Sequence, residues 1–127
     1  MSTYESAPFG SSGDYVLSGS VSFNSYTKLA TAGTYPIPSS TTIVGIDTAT
    51  PIAPITVTLY SATVAAIGTI VVLKDEGGAA NTDNITINPA GSETIDGAAT
   101  IGITVNYGSV ALYSDGSNWF IYARGLV

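Results

Sequence analysis

The sequence lacks cysteine and histidine altogether, and only 9% of its residues are charged. Without cysteine it has no disulfide, no thiolate nucleophile and no cysteine-ligated zinc site. Without histidine it has no ordinary triad base and no imidazole ligand for a metal. We therefore predict a protein that is not an enzyme, with no catalytic residues, no cofactor and no resident metal.

Basic residues are also scarce. Lys28, Lys74 and Arg124 are the only ones, against nine Asp plus Glu, and the formal net charge is −6. Nucleic-acid binding depends on Lys and Arg that displace counterions from phosphates, so nucleic acid is excluded as a partner.

Long apolar runs and targeting signals are also missing. The most apolar segment, residues 64–73, contains Gly68 and Thr69 and is about half the length of a membrane-spanning helix. Residues 1–12 are polar and do not resemble a secretory signal. We expect no membrane partner.

Hydrophobic and hydroxyl-bearing residues are what the chain has in abundance. Of 127 residues, 45% are hydrophobic, and 17 Thr and 15 Ser supply polarity without charge. This length corresponds to one domain. A surface with little charge costs little to desolvate, and it therefore suits packing against other copies or other proteins.

The patterning predicts an all-β fold, an antiparallel sandwich or a barrel-like domain. Short β-branched runs alternate with turn residues at a spacing of about 8–12 residues, which is typical of such folds. Asp96-Gly97 and Asp115-Gly116 mark turns, the second within the clearest hairpin. The predicted strands are 14–18, 26–31, 41–47, 54–60, 68–74, 84–88, 92–96, 99–105, 109–114 and 118–123.

The parity of side chains along the strands predicts which faces are buried. Ile55, Val57 and Leu59 share one face, with threonines on the other, so one face belongs to the core. Residues 70–73 are apolar on both faces, which predicts a central strand covered on both sides, with another subunit as one candidate cover. Both faces of the last strand are bulky, so at least one is core or an intersubunit contact.

The N-terminal 40 residues are predicted to form an extended arm, and residues 41–127 the β-domain. Aromatic rings recur along this arm more often than a free tail requires, as expected of a segment that docks on a partner. The candidate anchoring residues are Tyr4, Phe9, Tyr15 and Phe23.

Three functional hypotheses concern the polar and aromatic residues: a calcium site, a glycosidase pair, and a contact with a sugar or another subunit. The loop at residues 75–84 holds carboxylate and amide oxygens of the kind that calcium prefers, but its Asp and Asn side chains equally suit backbone capping. Nine scattered acids could in principle include a glycosidase pair, but the adjacent Asp75 and Glu76 face opposite sides of a strand and the other acids stand singly, so we expect no such activity. Tyr107, Tyr113 and Trp119 are candidates for stacking on a sugar or for contact with another subunit.

Residues 67–121 resemble a β-structured segment of bacteriophage virion proteins, particularly tail fibres and tailspikes. The matching stretches are residues 68–78, 84–87, 93–97 and 107–119, and the last of these closes with a tyrosine, an Asp-Gly turn and a tryptophan. The resemblance covers somewhat less than half of the chain.

The resemblance implies a non-enzymatic component of the virion that is homotrimeric. Because the chain is short and has no coiled-coil or repetitive shaft, we expect a phage capsid decoration (cement) protein or a short head fibre. Its partners would then be copies of itself and the major capsid protein or other virion proteins, the latter held through the arm. The alternative is the tip domain of a tail fibre that binds a receptor or a cell-surface carbohydrate, so capsid and tail locations both stay open.

Overall fold

The computed structural model describes residues 25–126, which form nine β-strands and no helix. Within this range no helix is long and apolar enough to cross a membrane. The strands are β1 Tyr26–Leu29, β2 Gly33–Pro36, β3 Ile43–Ile46, β4 Ile55–Thr58, β5 Ile70–Asp75, β6 Ile85–Asn88, β7 Ile101–Ile103, β8 Ser109–Ser114 and β9 Trp119–Gly125.

The first six strands alternate between two sheets. β1, β3 and β5 pair in parallel in one sheet, and β2, β4 and β6 pair in parallel in the other. The chain thus makes three turns, each adding one strand to each sheet, as in a β-solenoid. β7 then pairs antiparallel with β6, and the β8–β9 hairpin pairs antiparallel with β5. The result is a five-stranded sheet of order β1-β3-β5-β8-β9 and a four-stranded sheet of order β2-β4-β6-β7.

One hydrophobic core lies between the two sheets. The five-stranded sheet contributes Val44 and Leu73, and the four-stranded sheet contributes Ile55 and Ile87, all fully buried. Strand alternation explains the division, because every second side chain on each strand points inward. Trp119 at the start of β9 is also fully buried, with its ring edge-on to that of Tyr60 at 5.6 Å between centroids.

The all-β prediction is confirmed, but the antiparallel arrangement is wrong for the first six strands and the sheets do not close into a barrel. Both sheets are mixed. Predicted strands at 26–31, 41–47, 54–60, 68–74, 84–88, 99–105, 109–114 and 118–123 match observed strands within a few residues. The predicted strand at 92–96 contains only the isolated bridges of Ile95, and β2 was not predicted. The predicted strand at 14–18 lies outside the described residues.

The part of the predicted arm that the structure describes contributes to both sheets. Within residues 25–40, β1 lies at one edge of the five-stranded sheet and β2 at one edge of the four-stranded sheet. Residues 26–29 and 33–36 therefore belong to the two sheets. The candidate anchors Tyr4, Phe9, Tyr15 and Phe23 lie outside the described residues.

Candidate functional site: the outer face of the five-stranded sheet

The outer face of the five-stranded sheet is formed by the side chains that alternate away from the core. The strand register aligns them in three rows that cross the strands. We call them the aromatic row, Ile70, Tyr113 and Phe120; the aliphatic row, Tyr26, Ile43, Val72 and Ala111; and the lysine row, Lys28, Gly45, Lys74 and Ser109. The first two rows form a continuous apolar surface without a charge.

The aromatic row is a cluster of rings at the end of the sheet near the β8–β9 turn. The rings of Tyr113 and Phe120 stack at 5.7 Å between centroids with 27° between planes. A bulge in the β8–β9 pairing adds Tyr122, whose ring lies 6.3 Å from that of Tyr113. Tyr113 is 37% and Tyr122 54% exposed, so the cluster presents both rings to the surroundings.

The outer face of the four-stranded sheet provides an internal comparison. Its register aligns Thr34, Thr56 and Thr86 in one row, and Thr58 next to Asn88 in the neighbouring row. These hydroxyl and amide groups can bond to water, as is typical of the solvated face of a sheet. The same turns of chain therefore give one sheet a polar outer face and the other an apolar one.

Of the two lysines in the lysine row, Lys28 is paired with a carboxylate and Lys74 with a backbone carbonyl. Glu76 extends over Gly45, where an added Cβ would collide with its carboxylate, and reaches Lys28 at 2.6 Å and the Tyr26 hydroxyl at 2.9 Å. The hydrogen bond from Lys28 lowers the pKa of Glu76, and the bond to Glu76 raises the pKa of Tyr26. Lys74 donates to the carbonyl of Tyr107. Glu76 thus links β5 to β1 across β3.

Asp75, the last residue of β5, organises the loop at residues 75–84 around a fully buried carboxylate. Thr48 Oγ1 donates to its Oδ1 at 2.7 Å, and Tyr107 N donates to its Oδ2 at 2.9 Å. Backbone N–H groups of residues 77, 78 and 80 supply three further bonds. Burial opposes ionisation of this carboxyl, but the hydrogen bonds outweigh it and hold its pKa below the ordinary value.

The two adjacent acids at the start of the loop at residues 75–84, Asp75 and Glu76, point in different directions. Asp75 points into the protein, whereas Glu76 points across the outer face toward β1. Among residues 25–126, no three acidic, histidine or cysteine side chains lie together in a group that could hold a metal ion. The bonds from backbone N–H groups to Asp75 fit the interpretation that the acidic side chains of this loop cap its backbone.

Other carboxylates in the described part of the chain also bond to backbone N–H groups. Asp47 accepts a hydrogen bond from Ala49 N, and Glu93 accepts one from Ala62 N. Asp96 accepts one from Ile121 N. Asp115 accepts two, from Ser117 N and Asn118 N. These bonds lower the pKa of Asp115. The acids at turns therefore hold the chain's own loops in place.

The candidate contact residues Tyr107, Tyr113 and Trp119 do not form one site. Tyr113 belongs to the aromatic row, and Tyr107, 52% exposed, lies at the other end of β8 over Gly78. The Trp119 ring is fully buried and therefore offers no surface to a ligand or a subunit. Phe120 belongs to the aromatic row and Tyr122 lies beside Tyr113. The sequence pattern placed these two rings on the same face of the last strand but did not indicate that this face points outward.

A small cleft opens beside Arg124, where β7 meets the ends of β8 and β9. Its volume is about 60 Å³, and Gly102, Val105 and Leu126 are among the residues that line it. This is room for a few water molecules, well below the roughly 300–1,000 Å³ of small-molecule sites. Arg124 donates to the carbonyl of Gly102 across it. The apolar outer face is a larger feature than this cleft.

Comparison with protein-family models finds none that matches the chain, and comparison with curated proteins finds no match.

Proposed function

We propose that this protein is a structural component of a phage particle, a capsid decoration protein or a short head fibre, which acts through its interfaces with copies of itself and with other virion proteins. The observation that carries the proposal is the apolar outer face of the five-stranded sheet. In addition, carboxylates such as Asp75 and Asp115 accept hydrogen bonds from groups of the same chain. An interface protein needs a surface of low desolvation cost and a stable framework. The resemblance of residues 67–121 to phage virion proteins supports the same role.

Reconstitution tests this function. Particles that lack the protein are mixed with the purified full-length chain, sedimented, and heated to find the temperature at which they release their DNA. We expect saturable binding and a higher release temperature. Absence of binding at micromolar concentration of the chain would overturn the proposal.

The N-terminal arm is the proposed anchor to the particle. Replacement of Tyr4, Phe9, Tyr15 and Phe23 by serine in the full-length chain removes the rings and leaves residues 25–126 unchanged. We expect loss of binding to the particle with an unaltered circular dichroism spectrum. Unchanged binding by this variant would refute the anchoring role while leaving the virion role open to the reconstitution result.

The second candidate function is a carbohydrate-binding tip, and the exposed aromatic row is the observation that favours it. Stacked rings at a surface match the apolar faces of sugars. A glycan array probed with the full-length chain should then show saturable binding that Tyr113→Ala abolishes, with Tyr107→Ala as a control ring at the other end of β8. A silent array favours the decoration role.

A further inference from the structure

We propose that residues 14–18 of this chain pair with the free edge of β1 and add an antiparallel strand to the five-stranded sheet. The pairing goes beyond the proposed function and does not depend on it, because it concerns how the chain completes its own sheet. Three observations carry it: the hydrogen-bonding groups along the sheet edges, the apolar character of both faces of this sheet, and the short connection between the segment and β1.

Within residues 25–126, β1 has unpaired backbone groups along its outer edge. β3 is its only neighbour there, and the carbonyls of Ser25 and Leu29 accept hydrogen bonds from the chain at the two ends of β3. Because successive backbone groups of a strand alternate in direction, those of Tyr26 and Lys28 point away from β3. Such unpaired groups at an edge are a template for a further strand.

The lysine on β1 does not protect this edge. Lysine at an edge commonly opposes strand addition. Here Lys28 Nζ at 2.6 Å and the Tyr26 hydroxyl at 2.9 Å both reach Glu76, which extends over Gly45 on β3. Asp47, which follows β3, is a second acid that attracts Lys28. The side chains of Tyr26 and Lys28 therefore lean over the sheet and leave the backbone of the edge accessible.

The two edges of the four-stranded sheet are less suited to a further strand. Ile37 N donates to Thr58 O on β4, so the neighbouring Pro36 faces the free edge of β2, where it has no N–H to donate. β7, at the opposite edge, has only three residues, and Arg124 already bonds to the carbonyl of Gly102 at its middle. In the described part of the chain, neither edge offers a continuous row of unpaired groups.

The β9 edge of the five-stranded sheet is covered over its first part. Trp119 N donates to Thr94 O, and Asp96 N donates to Trp119 O. The carboxylate of Asp96 also accepts a hydrogen bond from Ile121 N. Beyond Ile121 a bulge interrupts the pairing of β9 with β8, and bulges at an edge oppose strand addition. β1 is therefore the edge best suited to a further strand.

The sequence of the segment at residues 14–18 matches the five-stranded sheet. Tyr15 and Leu17 share one side of a strand and Val16 lies on the other, so both sides are apolar. The five-stranded sheet is apolar on its core side and along the aromatic and aliphatic rows, whereas the other sheet carries threonine rows outside. Leu29 on β1 is only partly buried, so a strand beside it would cover more of the core.

The connection at residues 19–25 sets the direction of the pairing and its source. It is seven residues long and contains Gly19 and Asn24, which suit turns. The shortest parallel crossover in the described chain, from β1 to β3, spans the 13 residues 30–42, so seven residues favour an antiparallel hairpin. A tether this short gives the segment an effective concentration on the order of millimolar at the β1 edge. The chain's own segment is therefore favoured over that of another copy.

Hydrogen exchange, measured by NMR on the full-length chain, tests whether the β1 edge is covered. Tyr26 N and Lys28 N point away from β3, so these two amides exchange slowly only if a further strand pairs with them. Thr27 N faces β3 and serves as the reference for an intact sheet. We expect all three amides to exchange slowly. Exchange of Tyr26 N and Lys28 N at the rate of an unstructured peptide would overturn the proposal.

Proline variants identify the segment that covers the edge. Tyr15→Pro combined with Val16→Pro removes two N–H groups from residues 14–18, and Ser11→Pro combined with Ser12→Pro is the matched control outside them. We expect the first variant to speed the exchange of both edge amides at least about 10-fold and the control to leave it unchanged. Equal exchange in the two variants would overturn the proposal.

A spin label distinguishes the chain's own segment from that of another copy. Because the chain has no cysteine, Ser18→Cys carries one nitroxide on each copy. In an isotope-labelled chain, we expect this nitroxide to broaden the amide signals of Tyr26 and Lys28. When nitroxide-bearing chains without isotope are refolded together with isotope-labelled chains without nitroxide, we expect no broadening. Broadening in this mixture, or its absence within the chain itself, would refute the proposal.

Discussion

The buried carboxylate of Asp75 gives the most severe test of how this fold is held together. Asp75→Asn replaces one of two acceptor oxygens by an amide nitrogen that donates. If the amide takes the place of Oδ2, the N–H groups of Ala80 and Tyr107 lose their acceptor, at 3.2 and 2.9 Å in the native protein. The opposite orientation leaves Thr48 Oγ1 and two N–H groups at Oδ1 without one.

The magnitude follows from the number of donors left unpaired. Each buried donor without a partner costs about 1–3 kcal/mol, so two of them cost about 2–6 kcal/mol. Natural domains unfold with about 5–15 kcal/mol, and the substitution therefore removes a large share of the total. Asp115→Asn is the matched control, because Asp115 is exposed and its turn bonds suit asparagine equally, so we expect a change within about 0.5 kcal/mol.

Urea unfolding followed by the fluorescence of Trp119 measures both variants, since this single tryptophan is fully buried. Protein concentration is held constant, because self-association would add to the apparent stability. An Asp75→Asn variant within about 0.5 kcal/mol of the native protein would refute the reasoning that the carboxylate network stabilises the fold.

The pH dependence checks the same network by a second route. The pKa of Asp75 is lower in the folded protein than the value of about 3.9 expected in the unfolded chain. Its contribution to stability is therefore present above about pH 4 and is lost as pH falls through the folded pKa. We expect the free energy of unfolding of Asp75→Asn to fall less steeply over this acid range. A slope equal to that of the native protein would contradict the assignment.

Three further predictions concern the packing around this framework. Gly78→Ala should cost about 1–3 kcal/mol in urea unfolding, because Gly78 has a φ of 78° and the ring of Tyr107 occupies the space of a Cβ; a neutral result would contradict the close contact. Ser114→Ala should cost about 1–3 kcal/mol, because the buried hydroxyl donates to Ala62 O at 2.9 Å, whereas the exposed Ser117→Ala serves as a control within about 0.5 kcal/mol. Trp119 fluorescence should be shifted to the blue and resist iodide, and emission like that of free indole would exclude the buried placement.

The sequence pattern predicted strands well but not their direction. Alternation of Ile55, Thr56 and Val57 shows that a strand is buried on one face, and this is equally true of parallel and antiparallel pairing. Parallel neighbours ordinarily need a long crossover that contains a helix, and no helical period was present. Here each crossover contains a strand of the other sheet, so β3 follows β1 through β2.

The missed strand β2 has a composition that argues against a strand. Gly33 and Pro36 bound it, and both residues are disfavoured within sheets. It forms because its parallel register with β4 satisfies its backbone and because Tyr35 packs against the core. Pro36 is tolerated because the strand lies at the edge of its sheet. Tertiary pairing, absent from any local window of sequence, decides this element.

The candidate surface was visible in the sequence only in fragments. The apolar run at residues 70–73 indicated a strand with two buried faces, and the structure buries Val71 and Leu73 but leaves the side of Ile70 and Val72 open. Nothing local joins these residues to Tyr26 or Phe120, which lie 44 to 50 positions away along the chain. The register of the paired strands brings them side by side on one face of the five-stranded sheet. In the four-stranded sheet, the register aligns threonines on the outer face. That difference between the two outer faces is a property of the whole sheet, and no single strand of the sequence could show it.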